Sequence, residues 1–386
     1  MLLCYYNHER KITEMKKISL LLAVVILATS ICFIGCETKK KETKPPVENP
    51  KPEVTTNNLV LEESDLLTYF QNLESAVEEQ MPKQELDKEI LATVNGLPIY
   101  ASGVRYTTMV LDGFTPEEAK AEEETFFKEN AALVMTAYEN GIEFTDDNAT
   151  KLKADITGMQ LQLGDEYDNA FAESPYTKFF YYFQLSAYSS LYNNLYEKVL
   201  ADRENEMTKT SFDEAKGDMV RAKHILIQFP EGEGENGALT DEQKAATLEE
   251  ANSVLDKVNA MSDISEFDAL IAEYNDDPGM QANPDGYYFG RGEMVPEFEE
   301  SAYSLAEYET SGLVETSYGY HILLKLPLED DEAIYNSTAF SNILGEKLYE
   351  SISAKTEGME IVYGENYDAR VAEFKAEYEA LKASAE

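Results

Sequence analysis

Two histidines, His224 and His321, are the first residues in this sequence whose placement suggests chemistry. The 386-residue chain has three histidines, and we expect the third, His8, to be removed with an amino-terminal segment. His224 lies in the apolar run RAKHILIQF (221–229) and His321 in the run YGYHILLKL (318–326). Both runs are rich in β-branched and aromatic residues, which favours strands. Pairing of these two strands in one small sheet would bring the imidazoles together.

The segment between the two runs has the pattern of a compact α+β unit. Thr240 and Gln243 form a capping box at the start of a helix, and a second helix begins near Asp263. A Pro/Gly loop, the short strand GYYFG (286–290), a short helix and a turn precede the last strand. This order predicts a small sheet with surrounding helices. The apolar face of the first helix should consist of Leu248, Ala251, Leu255 and Val258.

Four motifs in this region are similar to those of the parvulin (rotamase, PpiC) domain and occur in the same order. They are AKHILI (222–227), YNDDPGM (274–280), FGRGEMVPEFEESAYSL (289–305) and GLVETSYGYHILLKL (312–326). The resemblance implies a compact parvulin domain over residues 218–328, with a small antiparallel sheet. It also implies a peptidyl-prolyl cis-trans isomerase (EC 5.2.1.8).

The resemblance implies roles for four polar residues. His224 and His321 match the paired histidines of the parvulin core. Asp277 matches a position that holds cysteine in some parvulins and aspartate in others. Thr316 matches a hydroxyl in the central hydrogen-bond network. These four residues are the predicted catalytic set.

The resemblance also implies an apolar pocket for the proline ring. Met294 and Phe298 match its walls, and Phe289 in the middle strand is a third predicted substrate-binding residue. The sequence departs from the family in one place. Where Gly-Gly-Asp-Leu-Gly is expected before the middle strand, this chain has NPDGY (283–287), which alters one wall of the pocket.

Rotation about an Xaa-Pro bond breaks no covalent bond, so the predicted reaction needs no nucleophile. We predict no cofactor and no metal ion. Each site residue also has a plainer interpretation. The histidines could be a buried, satisfied polar pair that shapes the sheet, Met294 could fill the core, and Asp277-Pro278 could serve only the turn.

The loop after the first strand bears on substrate choice. Phosphate-directed parvulins resemble this domain but carry basic residues there, whereas this chain has PEGEGE (230–235). Its carboxylates would repel phosphoserine. We therefore predict no phosphate requirement.

The overall charge excludes some partners. The formal net charge is −42, which argues against binding nucleic acid or anionic lipid headgroups through a basic face. The three cysteines, Cys4, Cys32 and Cys36, lie within the first 36 residues. The rest of the chain thus has no disulfide and no cysteine nucleophile.

The amino-terminal segment 1–36 has the pattern of a signal peptide. Two lysines precede a long apolar run that ends in Phe-Ile-Gly-Cys, and Met15 is a more natural start than Met1. This ending resembles a bacterial lipobox, which implies diacylation of Cys36. Residues 37–58 are rich in Lys, Pro, Glu and Thr and should form a disordered tether. We predict a lipoprotein on the outer face of the bacterial cell membrane.

Residues 59–217 and 329–386 are expected to be mainly helical. Asn95-Gly96 predicts a hairpin, and Thr115-Pro116 begins a helix that ends at Asn140-Gly141. A tyrosine stripe at 188, 192 and 196 lies on one helical face, either as core or as the wall of a cleft.

VNGLPI (94–99) followed by helices loosely resembles the chaperone domain of the SurA and PrsA class of exported foldases. The resemblance implies that the carboxyl-terminal helices 329–386 pack on the amino-terminal domain and that the isomerase domain is inserted between them.

Together these features predict an exported foldase whose partners are unfolded secreted polypeptides with Xaa-Pro bonds. One alternative is a holdase chaperone with a catalytically silent parvulin domain. Another is a surface adhesion or scaffold lipoprotein.

Overall fold

A computed structural model describes residues 59, 61–81, 88–172, 174–234 and 237–385. The predicted signal peptide, Cys36 and the tether 37–58 lie outside these residues. Within the described ranges, no helix combines the length and apolarity needed to cross a membrane.

The chain alternates helices with short strands. The strands are β1 Ile90–Val94, β2 Leu97–Tyr100, β3 Val220–Gln228, β4 Tyr287–Phe289, β5 Val314–Glu315, β6 Gly319–Leu326 and β7 Ile361–Tyr363. The α-helices are α1 Asp65–Glu78, α2 Ala101–Val110, α3 Pro116–Glu139, α4 Asp146–Leu163, α5 Tyr167–Ala172, α6 Tyr188–Ala201, α7 Glu206–Asp218, α8 Asp241–Asn259, α9 Glu266–Tyr274, α10 Gly279–Ala282, α11 Pro296–Ser304, α12 Asp331–Tyr335, α13 Thr338–Ala354 and α14 Tyr367–Ala385. A 3₁₀ turn spans Gly164–Glu166, and a π-helix spans Phe180–Ala187.

The described residues form two compact units. The helical unit comprises residues up to Lys198 together with those from Tyr349, and the central unit is Val199–Leu348. The two segments of the helical unit therefore flank the central unit in the sequence. The central unit extends beyond the predicted parvulin range 218–328 at both ends.

A three-stranded antiparallel sheet joins the two segments of the helical unit. Asn95 and Gly96 form the β1–β2 turn with φ of 50° and 81°, as a two-residue type I′ hairpin requires. On its other side β1 pairs with β7, where Val94 lies opposite Ile361. The predicted hairpin is thus present, and the carboxyl-terminal segment completes its sheet.

Helix α3 of the helical unit begins and ends as its sequence predicts. Thr115 accepts a hydrogen bond from the Glu118 N–H, and the Glu118 side chain reciprocates in a capping box. Pro116 occupies the first helical position. Gly141 follows the last turn with a φ of 60°.

Aromatic packing fills the core of the helical unit around the π-helix. Phe180 stacks on Tyr106 with ring centroids 4.5 Å apart, and Phe179 stacks on Phe183 at 5.2 Å. In the tyrosine stripe, Tyr188 is buried, and the tyrosines at 192 and 196 are half-buried. These positions favour the interpretation of the stripe as core.

The central unit is built on a four-stranded antiparallel sheet of order β4-β3-β6-β5. The long central pair is β3 and β6, with Ile225 opposite Ile322. Helices α8 and α9 lie in the chain between β3 and β4, and α11 between β4 and β5. The predicted α+β class and the predicted order of elements are confirmed.

One face of this sheet packs against α8 and α9. The Thr240–Gln243 capping box begins α8 as predicted. Ala251, Val254 and Val258 of α8 are buried together with Phe267 of α9. The prediction for Leu248 is wrong, since this side chain is 39% exposed. The buried stripe follows i, i+3 and i+7 from Ala251, and Leu248 lies beside it.

Candidate active site

Strand register places the two histidines on one face of the central sheet. In the antiparallel pair β3–β6, His224 lies opposite Leu323, and Leu226 lies opposite His321. His224 and His321 are therefore diagonal neighbours on the same face. The intervening Ile225 faces the other side, among the core residues under α8.

One hydrogen-bonded chain joins all four residues of the predicted polar set. His224 Nδ1 lies 2.9 Å from His321 Nδ1, and His224 Nε2 lies 2.8 Å from Asp277 Oδ2. Thr316 Oγ1 is 2.9 Å from His321 Nε2. The two histidines and Thr316 are at most 6% exposed. The Asp277 side chain is 23% exposed, so the chain meets solvent at its carboxylate.

The partners at the two ends of the hydrogen-bonded chain determine which atom donates in each hydrogen bond. The Tyr318 N–H donates to Thr316 Oγ1 at 3.1 Å, so the Thr316 hydroxyl is free to donate to His321 Nε2. His321 then donates from Nδ1 to His224 Nδ1, and His224 donates from Nε2 to Asp277. In this arrangement each imidazole carries one proton, and every ring nitrogen has a partner.

The Asp277 carboxylate is held by its own loop. Its Oδ1 accepts a hydrogen bond from the Gly279 N–H at 2.9 Å. The Asn275 side chain donates to the Asp277 carbonyl at 2.7 Å and accepts from the Leu226 N–H at 2.8 Å. The loop is thus tied to β3, and Asp277 serves both the turn and the histidine chain.

Burial and hydrogen bonding shift the pKa values of these groups. Burial lowers the pKa of His321 to about 4, and the neighbouring His224 adds to the shift. Burial also lowers the pKa of His224, although Asp277 opposes this effect. For Asp277, burial would raise the pKa, but hydrogen bonds from the Gly279 N–H, His224 and Tyr287 outweigh it and lower the pKa. Two neutral imidazoles beside an anionic carboxylate follow.

Aromatic side chains bound the histidine pair on its apolar side. The Phe298 ring is nearly perpendicular to both imidazoles, at centroid distances of 5.1 Å from His224 and 5.4 Å from His321. Phe289 packs against Phe298 at 5.9 Å and is 1% exposed. It therefore supports Phe298 from within the core. Met294 is half-buried at the edge of the same cluster.

Two glutamates hold the loop that carries Met294. Glu293 accepts a hydrogen bond from the Gly290 N–H at 2.5 Å, and Glu299 accepts one from the Gly292 N–H at 2.7 Å. Pro296 begins α11 directly after this loop. Met294 is thereby fixed between β4 and α11, on the side of the predicted proline pocket.

One polar residue of the site was not predicted. Tyr287 donates its hydroxyl to Asp277 Oδ2 at 2.8 Å, in the segment that departs from the family pattern. Strand periodicity could have found it, because Tyr287 lies two residues before Phe289 and therefore shares its face. Its contact with Asp277 depends on the path of the 275–286 loop, which the residue pattern does not specify.

Within the part of the chain that the structure describes, no group of three or more His, Cys, Asp or Glu side chains is arranged to hold a metal ion. The only acidic group bonded to the histidine chain in that part is Asp277.

The sequence model of the PPIC-type PPIASE domain family matches residues 205–325. This range contains the paired histidines, Asp277, Thr316 and the aromatic cluster. That part of the chain is therefore a parvulin-type domain, as predicted.

The curated relatives point to one kind of protein that carries such a domain. The chain is 38% identical over 129 residues to the foldase protein PrsA of Halalkalibacterium halodurans, covering 33% of this chain and 32% of the relative. It is 28% identical over 182 residues to that of Staphylococcus aureus strain Newman, covering 46% and 52%. The predicted PrsA-like resemblance is confirmed, and the matches span about a third to a half of the relatives' length.

Solved structures also match. The PrsA structure from Bacillus cereus covers 75% of this chain and 100% of its own, at 17% identity and a TM-score of 0.26. The PrsA structure from Bacillus subtilis covers 78% and 94%, at 20% identity and a TM-score of 0.24.

Proposed function

We propose that this chain is an extracytoplasmic foldase, a peptidyl-prolyl cis-trans isomerase that assists the folding of secreted proteins. The observation that carries the proposal is the hydrogen-bonded chain from Thr316 to Asp277, which lies against the ring of Phe298. The match to the PPIC-type family supports the activity. The foldase name of the relatives supports the role.

The catalytic task is to lower a rotational barrier. Amide resonance sets a barrier of about 18–20 kcal/mol for rotation about a peptide bond, and uncatalysed Xaa-Pro isomerisation takes tens to hundreds of seconds. An isomerase must therefore bind the twisted amide more tightly than either planar form. No bond breaks, and no residue needs to act as a nucleophile.

The apolar part of the site would grip the proline ring. Met294 and Phe298 supply a surface on which the pyrrolidine can displace water. Removing water from the carbonyl weakens the solvation that favours the charge-separated planar amide. The twisted amide has less charge separation and loses less solvation, so its free energy falls relative to that of the planar amide.

The polar chain would act on the rotating carbonyl. With both histidines neutral, the negative charge of the hydrogen-bonded chain lies on the Asp277 carboxylate. This carboxylate is the partly exposed end of the hydrogen-bonded chain. A fixed negative charge disfavours the planar amide, whose oxygen is the more negative, relative to the twisted one. The histidines and Thr316 hold this charge in place and do not need to exchange protons with the substrate.

The same proposal covers the whole chain. Residues 1–36 would direct export and Cys36 would carry the lipid that anchors the protein to the membrane, with 37–58 as the tether. The helical unit, which comprises residues up to Lys198 and those from Tyr349, would form a chaperone domain that receives unfolded secreted chains. The isomerase domain, 218–328, would act on their Xaa-Pro bonds without a phosphate requirement and without a cofactor.

A holdase function is the second candidate, and one observation favours it. The helical unit contains a cleft of about 770 Å³ between α2, α3 and α14, lined by Leu111, Tyr363, Tyr367 and Val371 among others. Phe114 at this cleft is 43% exposed. The lining also includes six charged residues, Asp112, Lys120, Glu123, Asp368, Lys375 and Glu379. A cleft with both apolar and charged side chains can hold an unfolded segment without any isomerisation.

Proline isomerisation of an unmodified Xaa-Pro peptide tests the proposal. The protein would be residues 37–386, compared with His224→Ala and Met294→Ala variants whose folding is checked by circular dichroism. Acceleration by the wild type that is lost in His224→Ala and reduced severalfold in Met294→Ala supports the isomerase. A folded wild type without acceleration contradicts it, and suppression of client aggregation would then identify the holdase.

A further inference from the structure

Three hydrogen-bond donors converge on the Asp277 carboxylate. The Gly279 N–H binds Oδ1 at 2.9 Å, while His224 Nε2–H and the Tyr287 hydroxyl both bind Oδ2 at 2.8 Å. The histidine and the tyrosine thus share one oxygen. Any change in the Tyr287 hydroxyl alters the acceptor that orients His224.

The backbone positions Tyr287 for this contact. Tyr287 lies opposite Ala222 in the β3–β4 pair, two residues from His224 and on the same face. The Tyr287 and His224 rings are 5.8 Å apart at an angle of 65°. A Cβ atom at Gly279 would come within 1.9 Å of the phenol oxygen. The absence of a side chain at Gly279 therefore leaves room for the phenol to reach the carboxylate.

We infer that Tyr287 is a positioning residue of the isomerase site. Its hydroxyl holds Asp277 as a carboxylate against His224 and so extends the activity to lower pH. This inference rests on the proposed function. Tyr287 contacts Asp277 and the ring of His224, and its effect reaches the substrate through Asp277.

Among the described residues, the ionisable groups that face Asp277 come from three different strands. His224 lies on β3 and Tyr287 on β4, and both bind Asp277 directly. His321 lies on β6 and is linked to Asp277 through His224. The α10 segment contributes only the Gly279 N–H. The adjacent Asp276 is exposed and instead accepts a hydrogen bond from the Gln228 N–H.

The sign of the pH effect follows from these donors. Hydrogen bonds to the charged form lower the pKa of Asp277. Activity that needs the carboxylate is present above this pKa and is lost as the pH falls through it. Removing the Tyr287 hydroxyl raises the pKa, so the acid limb of the activity profile moves to higher pH.

The test compares Tyr287→Phe with Tyr288→Phe. The control makes the same change one residue further along β4, where the tyrosine ring packs on the Arg221 guanidinium. With kcat/KM of each protein scaled to its own plateau at neutral pH, we expect Tyr287→Phe to lose about fivefold more activity than the wild type at the acid end. Tyr288→Phe should follow the wild type. An equal loss at every pH, or an unchanged profile, would overturn the inference.

Two further measurements separate this inference from the proposed function. Carbon-13 NMR titration of the Asp277 carboxyl should show a higher midpoint in Tyr287→Phe than in the wild type, whether or not the protein is an isomerase. An unchanged midpoint overturns the inference. In an Asp277→Asn background, Tyr287→Phe should no longer move the pH profile of the activity, because His224 and Tyr287 then have no carboxylate to share. A shift that persists there would also overturn it.

Discussion

The Nδ1 atoms of His224 and His321 face each other at 2.9 Å, although 97 positions separate the two residues in the chain. Such a contact needs one donor and one acceptor, so it forms only when at least one imidazole is neutral. Two imidazolium ions would place two N–H groups and two charges face to face in a buried site. The contact is therefore a structural reason for the low pKa of His321, to which His224 contributes.

The first prediction concerns the titration of these imidazoles. Burial and the neighbouring His224 lower the pKa of His321 to about 4, and burial lowers that of His224. We expect the C2–H resonance of His321 to titrate with a midpoint near pH 4, and that of His224 below the ordinary value of about 6.5. Urea-unfolded protein supplies the reference. A midpoint above the unfolded value for either residue contradicts the neutral pair.

The second prediction concerns stability. Because both histidines bind protons less readily in the folded state, the unfolded state takes up more protons between about pH 6.5 and 4. The free energy of unfolding should be fully retained above this window and should fall as the pH decreases through it. The lowering of the His321 pKa from about 6.5 to about 4 corresponds to a loss on the order of 3 kcal/mol.

Urea unfolding at a series of pH values measures this slope, with His321→Asn as the control. Glu74 and Glu123 also have pKa values shifted by burial, but upward, so they act in the opposite direction. Both glutamates are present in the wild type and in His321→Asn. The difference between the two proteins in the pH dependence of the unfolding free energy therefore reports the contribution of His321. A variant as steeply pH-dependent as the wild type would count against the prediction.

Local sequence rules predicted the elements that depend on neighbouring residues. The Asn95-Gly96 turn and the Thr240 capping box are specified by a few adjacent positions. The histidine strands were predictable from their β-branched runs. Contacts between distant segments were not predicted by these local rules. Strand β7 has three residues, and its pairing with β1 depends on the tertiary fold, which brings the carboxyl-terminal segment beside β1.

The candidate site shows the same limit. The residue types and their order identified His224, His321, Asp277 and Thr316, since the family pattern preserves both. The sequence does not show which ring nitrogens meet, because that depends on side-chain rotation within the folded core. Tyr287 was missed for a similar reason, because its contact with Asp277 depends on the path of the loop that carries Asp277.

The third prediction addresses the far end of the hydrogen-bonded chain. Thr316→Val keeps the shape of the side chain but leaves His321 Nε2 without a donor and the Tyr318 N–H without its acceptor. A buried unsatisfied group costs about 1–3 kcal/mol, so urea unfolding should show a loss of this size and isomerase activity should fall. Thr316→Ser retains the hydroxyl and should remain close to wild type. Equal behaviour of the two variants contradicts the role of the hydroxyl.

The fourth prediction separates substrate contact from core packing. Met294 is half-buried, whereas Phe298 is 3% exposed and packs on both imidazoles. Met294→Ala should raise KM severalfold with a small effect on unfolding, and Met294→Leu should be tolerated because it conserves volume. Phe298→Ala should destabilise the protein by about 3–5 kcal/mol. If Met294→Ala lowers stability as much as Phe298→Ala and leaves KM unchanged, Met294 is a core residue.

The fifth prediction concerns substrate charge. Glu231 and Glu233 in the loop after β3 are exposed, and a phosphoserine carries a charge of about −1.5 to −2 at pH 7. We expect kcat/KM to be severalfold lower for a phosphoserine-proline peptide than for the unmodified peptide, because like charges repel. Added salt should narrow the difference, since it screens exposed charges. A Glu231→Gln, Glu233→Gln double variant should narrow it as well, while its activity on the unmodified peptide stays the same. Preference of the wild type for the phosphorylated peptide would refute the prediction and would require a basic phosphate site elsewhere around the pocket.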